Sequence, residues 1–267
     1  MVNILAKKTM LLLCLSSMIL ISGCFSNLQQ NESRDINEQE VYRTIEAYIV
    51  KERHYLLYNV VEGEKQKEIE IQVPYKIQSL QIKKITLLQD NNVVSEELDQ
   101  VKTLNNKLTI KMPYYIPQFN QMKATLTNNK IITLNIGQYT LENFTEHDFN
   151  HNNIKPMQIT NNHLKFHNGK LESTTEFVKK DETEVEVKIP EAALKYIKNI
   201  QFNRAEQNGK IKYTLKCEIS QSILTDYNLE SAVVDISIVQ NANEKKWSLI
   251  KSSVPIQTMD YQTKTNE

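Results

Sequence analysis

Four of the five histidines in this 267-residue chain fall between positions 147 and 167. His147, His151, His163 and His167 form two i, i+4 pairs, the spacing at which a helical turn aims two imidazoles at one ion. They are the candidate metal ligands. The surrounding residues argue against that use. The first pair lies in an Asn-rich stretch with no helical face, and Asp148, not Glu, follows His147, unlike the zinc-protease pattern. If 163–167 is a strand, His163 and His167 stand about 13 Å apart along it, too far to share one ion. The expectation is solvated loop and hairpin histidines, with no metal and no other cofactor.

The remaining reactive groups read in the same direction. Glu68/Glu70, Glu184/Glu186 and Asp181/Glu182 sit among lysines on alternating stretches, as on the wet face of a half-solvated sheet. Glycosidase-like use would need two of them to converge in a cleft. No Gly-x-Ser-x-Gly elbow is present. The five glycines are too dispersed to cradle a phosphate in a P-loop or a dinucleotide fingerprint. Cys217 lies on the apolar side of Ile211-Lys-Tyr-Thr-Leu-Lys-Cys-Glu-Ile219, which makes it a core thiol. Tyr114, Tyr115, Ile116 and Phe119 read as packing under a corner, and Trp247 as a core anchor. Thirty-two basic residues balance thirty-two acidic ones, so no excess of cations is available for nucleic acid.

The most specific pattern lies at the start. Lys7 and Lys8 precede an apolar run, Met10 to Ile21, interrupted only by Ser16 and Ser17. Twelve residues make a helix of about 18 Å, short of the roughly 30 Å hydrocarbon core. A positive flank, a short apolar centre and a small-residue exit are the anatomy of a secretory signal. The exit reads Ile21-Ser22-Gly23-Cys24. It resembles the lipobox of bacterial membrane lipoproteins: aliphatic, small, small, Cys. The resemblance implies cleavage between Gly23 and Cys24, a diacylglyceryl group on the Cys24 thiol and acylation of the new amine. It covers less than a tenth of the chain and names no family beyond the anchor. Two acyl modifications give stable anchoring where one chain gives marginal binding. Removing Lys7, Lys8 and no acid leaves a slightly acidic protein, so the lipid must anchor alone. The implied location is the outer face of the cell membrane, and the Asn-, Lys- and Ile-rich composition leans toward a single-membrane bacterium.

Beyond the anchor, the expected organisation is a signal peptide at 1–23, then lipidated Cys24 and a flexible tether to 38. A first β-rich domain with an N-terminal helix follows at 39–147, and a second sandwich-like domain at 148–267. The helix rests on Val41, Ile45, Tyr48 and Ile49 sharing a face, ending near Lys51. The fold class is mainly β, as one or two β-sandwich-like domains after that helix. Short runs of alternating or β-branched residues recur throughout, and Asn168-Gly169 and Asn208-Gly209 are hairpin turns. Three alternating stretches end in Pro74, Pro113 and Pro190 before spaced apolar residues. Each predicts a strand, a short helical corner and another strand. Strands without intervening helices exclude a doubly wound α/β fold.

The functional expectation is a non-catalytic interaction or assembly lipoprotein whose partners are membrane lipid and an envelope protein or cell-wall component. The alternative is a ligand- or metal-binding lipoprotein using the four histidines. An envelope enzyme would require a cleft uniting carboxylates or a His–acid pair.

Overall fold

Alternation is why most of this chain is strand. In β13 (Lys210–Ile219), Ile211, Tyr213, Leu215, Cys217 and Ile219 are buried, and the residues between them face outward. The computed structural model describes residues 42–43, 46–47, 49–61, 67–72, 81–99, 101–104, 107–147, 157–178, 184–242 and 245–261. The chain divides into a unit of residues 1–45 and a unit of 46–267. Most of the expected N-terminal helix, Cys24, the tether, His151 and Pro74 lie outside the described residues.

The second unit is mainly β, with three sheets in a sandwich-like arrangement. The largest runs in the order β11 (Glu184–Lys188), β14 (Ser231–Ala242), β1 (Glu52–Val61), β8 (Ile131–Glu146), β7 (Gln118–Leu126), β3 (Ile82–Gln89) and β4 (Asn92–Val93). An eighth strand, β15 (Lys245–Gln257), pairs antiparallel with β14. A four-stranded sheet has the order β12 (Ile197–Gln207), β13, β10 (Lys170–Val178), β9 (Ile159–His167). A three-stranded sheet has the order β2 (Lys67–Gln72), β6 (Lys107–Met112), β5 (Val101–Leu104).

A domain boundary at 147/148 was the expectation; instead one sheet runs through it. β1 pairs in parallel with β8 on one side and with β14 on the other. Strands from both expected domains therefore share a single backbone ladder. Parallel partners require long connections, so no local pattern announces them. The β1–β14 ladder is short. Glu52–Tyr55 pair with Ser231–Val234, after which the strands part and β11 takes over the edge of β14 at Ser237–Asn241.

β8 reaches sixteen residues because Gly137 is a bend inside the strand, not its end. Its φ is +84°, and a Cβ there would meet the Glu52 carbonyl oxygen at 2.8 Å. Residues before it pair with β7 alone, whereas after it Tyr139 and Thr140 pair with β7 on one side and Gln138–Glu146 with β1 on the other. Asn168-Gly169 and Asn208-Gly209 have positive φ at both positions and close the β9–β10 and β12–β13 hairpins.

The proline-led corners connect different sheets. After Pro190 a single turn, α1 (Glu191–Leu194), leads from β11 into β12 of the four-stranded sheet. After Pro113 the chain passes from β6 to β7 without helix, a difference from the expected corner. Tyr114 and Tyr115 are tied there by their hydroxyls, which respectively accept from the Glu96 N–H at 2.6 Å and donate to the Leu141 carbonyl at 2.8 Å. A second turn, α2 (Ser222–Thr225), follows β13.

The core between the largest sheet and the four-stranded sheet joins Tyr55, Ala232, Val234, Ile236, Val254 and Ile256 to Leu171, Leu215, Cys217 and Ile219. Trp247 is fully buried. Burial pushes the Cys217 thiol up to about 11, so it stays protonated at neutral pH.

Candidate functional site

The opposite face of β14 and β15 is not covered in the same way. A cleft of about 450 Å³ opens there, lined by His54 and Leu56 of β1, Glu68, Ile69 and Glu70 of β2, Lys107 of β6, Val233 and Asp235 of β14, and Ser253 and Pro255 of β15. Period two produces this arrangement. Val233, Asp235, Ser253 and Pro255 alternate with Val234, Ile236, Val254 and Ile256, which point into the core.

Where β1 leaves β14, Asp235 takes over the backbone bonding. Its Oδ2 accepts the Leu57 N–H at 2.9 Å, and its Oδ1 accepts the Ser253 hydroxyl at 2.6 Å. His54 lies at the other wall, its ring stacked on Tyr139 at 4.3 Å, with Tyr139 stacked on Phe119 at 4.7 Å. Its Nε2 is 3.3 Å from Glu52 Oε2. That hydrogen bond, opposed by burial, holds the Glu52 carboxyl below its usual range. On the β2 side, Lys107 meets Glu70 at 2.8 Å and Lys111 meets Glu68 at 3.6 Å.

The cleft thus unites carboxylates with a His–acid pair, the arrangement an enzyme would require. The partners argue for a binding surface instead. Ser253 donates to a carboxylate, not to His54, and His54 faces Glu52, so no nucleophile is paired with an imidazole base. The cleft presents an apolar floor of Leu56, Ile69, Val233 and Pro255 beneath a rim of Glu68, Glu70, Asp235, His54 and Lys107.

Beyond the cleft, a polar seam fills the space between β1, β8 and β15. Glu146, 5% exposed, accepts from Asn59 at 2.6 Å and from the Ser248 N–H at 3.1 Å, and pairs with Lys251 at 2.7 Å. Burial pushes its carboxyl up, but the Lys251 and Asn59 hydrogen bonds, the Lys251 charge and the Ser248 N–H outweigh it and hold the group below its usual range. Ser248-Leu-Ile-Lys251 has the spacing of a serine–lysine nucleophile pair, which the sequence reading missed. The Ser248 hydroxyl lies 2.7 Å from that of Ser237, and the Lys251 ammonium is held by Glu146.

The sequence-predicted histidines are dispersed. His147 ends the seam, its N–H donating to the Lys246 carbonyl at 2.9 Å and its Nδ1 accepting the Lys246 N–H at 3.1 Å. His163 and His167 are exposed on β9, in a different sheet and opposite Thr174 and Lys170. Four residues of strand separate them by about 13 Å. His54, the one histidine outside the predicted group, is the one that lines the cleft. Its sequence signal, like that of Asp235, was a polar residue at an alternating position next to apolar ones. No group of three or more His, Cys, Asp or Glu residues among those described is arranged to hold a metal. No helix among the described residues is long and apolar enough to cross a membrane.

No family model and no curated protein matches this sequence. Among solved structures, a marsupial T cell receptor is 11% identical with a TM-score of 0.24, covering 79% of this chain and 62% of that chain. The chain thus spans less than two thirds of that receptor. A chicken T cell receptor is 8% identical with a TM-score of 0.23, covering 75% of this chain and 96% of that one. At these scores neither likeness bears on function.

Proposed function

We propose that this chain is a lipid-anchored protein on the outer face of a bacterial cell membrane, serving as a non-catalytic binding or assembly component of the envelope. The observation that carries the anchor is Ile21-Ser22-Gly23-Cys24, placed after Lys7, Lys8 and a run too short to span. Binding without catalysis is supported by the cleft over β14 and β15, where Asp235 and His54 are engaged by Leu57, Ser253 and Glu52. An apolar floor under Glu68, Glu70 and Asp235 suits a partner that presents aliphatic and basic side chains together.

Labelled fatty acid fed to cells expressing the full chain tests the anchor. Label in the protein and its partition into detergent are expected, and both disappear in Cys24→Ala. A Cys24→Ala chain that still carries label would remove the basis of the proposal.

A further inference from the structure

At the end of the largest sheet, two cations gather on a set of tyrosines with no acid among the described residues to balance them. The Arg53 guanidinium carbon is 4.1 Å from the Tyr227 ring centroid and 5.3 Å from that of Tyr55. The Lys195 ammonium is 4.7 Å from the Tyr196 centroid and 5.8 Å from that of Tyr227. Three segments bring these residues together: Arg53 and Tyr55 from β1, Lys195 and Tyr196 from the turn after α1, and Tyr227 from the loop after α2. Among the described residues no carboxylate pairs with Arg53 or Lys195. The neighbouring acids are otherwise placed, with Glu52 on His54 and Glu230 on Lys51. Asp226, next to Tyr227, forms no ion pair with either cation.

Drawing two positive charges to one ring has a cost that the cation–π attraction only partly offsets. The interior of the cluster carries a second and independent signal. The hydroxyls of Tyr55 and Tyr196, on side chains 1% and 2% exposed, approach only each other, Tyr227 and Lys195 without a well-formed hydrogen bond, and the buried Nε–H of Arg53 makes none either. Buried donors without a well-formed acceptor are costly, and an acceptor reaching this cluster would complete them. The Tyr227 hydroxyl is held below its usual range, first by its hydrogen bond to Arg53, consistent with a positive potential at this place. Tyr227 is 48% exposed and forms the outer wall.

We infer that Arg53, Lys195 and the hydroxyls of Tyr55, Tyr196 and Tyr227 form a binding site for a phosphoryl oxyanion. Two cations and three hydroxyl donors exceed what a carboxylate with one charge and two oxygens requires, whereas a phosphate offers the charge and the oxygens. The group is carried either by a soluble phosphate compound or by a lipid headgroup. This site is on the face of β1 that carries Tyr55, opposite the His54 cleft, and its existence does not depend on the anchor.

Calorimetric titration of inorganic phosphate into the detergent-solubilised full chain, at constant ionic strength, tests it. One saturable equivalent is expected, binding about tenfold weaker in Lys195→Gln and weaker still in Arg53→Gln. Lys195 is exposed, so its variant keeps the fold, and Lys123→Gln, exposed on β7, serves as the control with binding unchanged. A parallel arm mixes the Cys24→Ala chain with phosphatidylcholine vesicles with and without phosphatidylglycerol. Binding only to the phosphatidylglycerol vesicles, lost in Lys195→Gln, assigns the headgroup as the source; binding of free phosphate assigns the soluble one. Neither arm binding, or binding that survives both Arg53→Gln and Lys195→Gln, overturns the inference.

Discussion

The two faces of β14 and β15 are cut from the same strands, yet one is a dry core and the other an open cleft. On the first, Ala232, Val234, Ile236, Val254 and Ile256 meet Leu171, Leu215, Cys217 and Ile219 of the four-stranded sheet. On the second, Val233, Asp235, Ser253 and Pro255 meet His54, Glu68, Glu70 and Lys107 across a cleft. The difference arises from what lies opposite. The first face has a whole sheet against it, held by the β11–α1–β12 corner. The second has, among the described residues, only β2 and β6 across the cleft, and beside it β1 leaves β14 after four paired residues, so that Asp235 completes the bonding. Alternate residues of one strand therefore separate holding the fold from presenting a surface.

Substitutions that exchange the characters of the two faces sharpen this contrast. The largest effect belongs to the dry face, where Leu215→Ala is expected to lower unfolding stability by about 2–5 kcal/mol in urea. Next comes the junction. Asp235→Ala removes the carboxylate that accepts from the Leu57 N–H and is expected to cost about 1–3 kcal/mol, while Asp235→Asn, which keeps an acceptor, recovers most of it. Equal losses in the two Asp235 variants would mean that the hydrogen bond to Leu57 is not what joins the strands.

The seam adds a pH dependence. The Glu146 carboxyl titrates lower in the folded chain than in the unfolded one, so its contribution is complete above the usual carboxylate range. It is lost as pH falls through the unfolded and then the folded value. Denaturant midpoints should therefore decline on acidification, and Glu146→Gln should be less stable at neutral pH with a flatter decline. The smallest effect belongs to the cleft rim. Glu70→Gln removes an exposed pair with Lys107 and should change stability by less than about 1 kcal/mol.

Local patterns in the sequence carried the strands but not their partners. Lys107–Met112, Lys170–Val178 and Lys210–Ile219 are legible because each alternates cleanly and ends in a turn residue or proline. Gly137 interrupts an alternating run, and only the fold shows that it lets Glu52 approach inside a continuous strand. Joining of the two expected domains depends on β1 pairing with β8 and β14, partners about 85 and 180 residues away along the chain, and no spacing rule encodes that. The cleft was hidden for the same reason. Glu68 and Glu70 were legible as a wet strand face, but His54 and Asp235 acquire meaning only after the strands that carry them are neighbours. Arg53 and Tyr227 are likewise remote in sequence and meet only through the fold.

The most direct test of the two-faced sheet compares neighbours of identical chemistry, Val233 on the cleft and Val234 in the core. Urea unfolding of Val233→Ala and Val234→Ala in the full chain should differ sharply. Val234 is fully buried, so its variant should lose about 1.5–3 kcal/mol, while Val233→Ala should lose less than about 1 kcal/mol. Equal losses, or a larger loss at Val233, would contradict the division of labour between the faces.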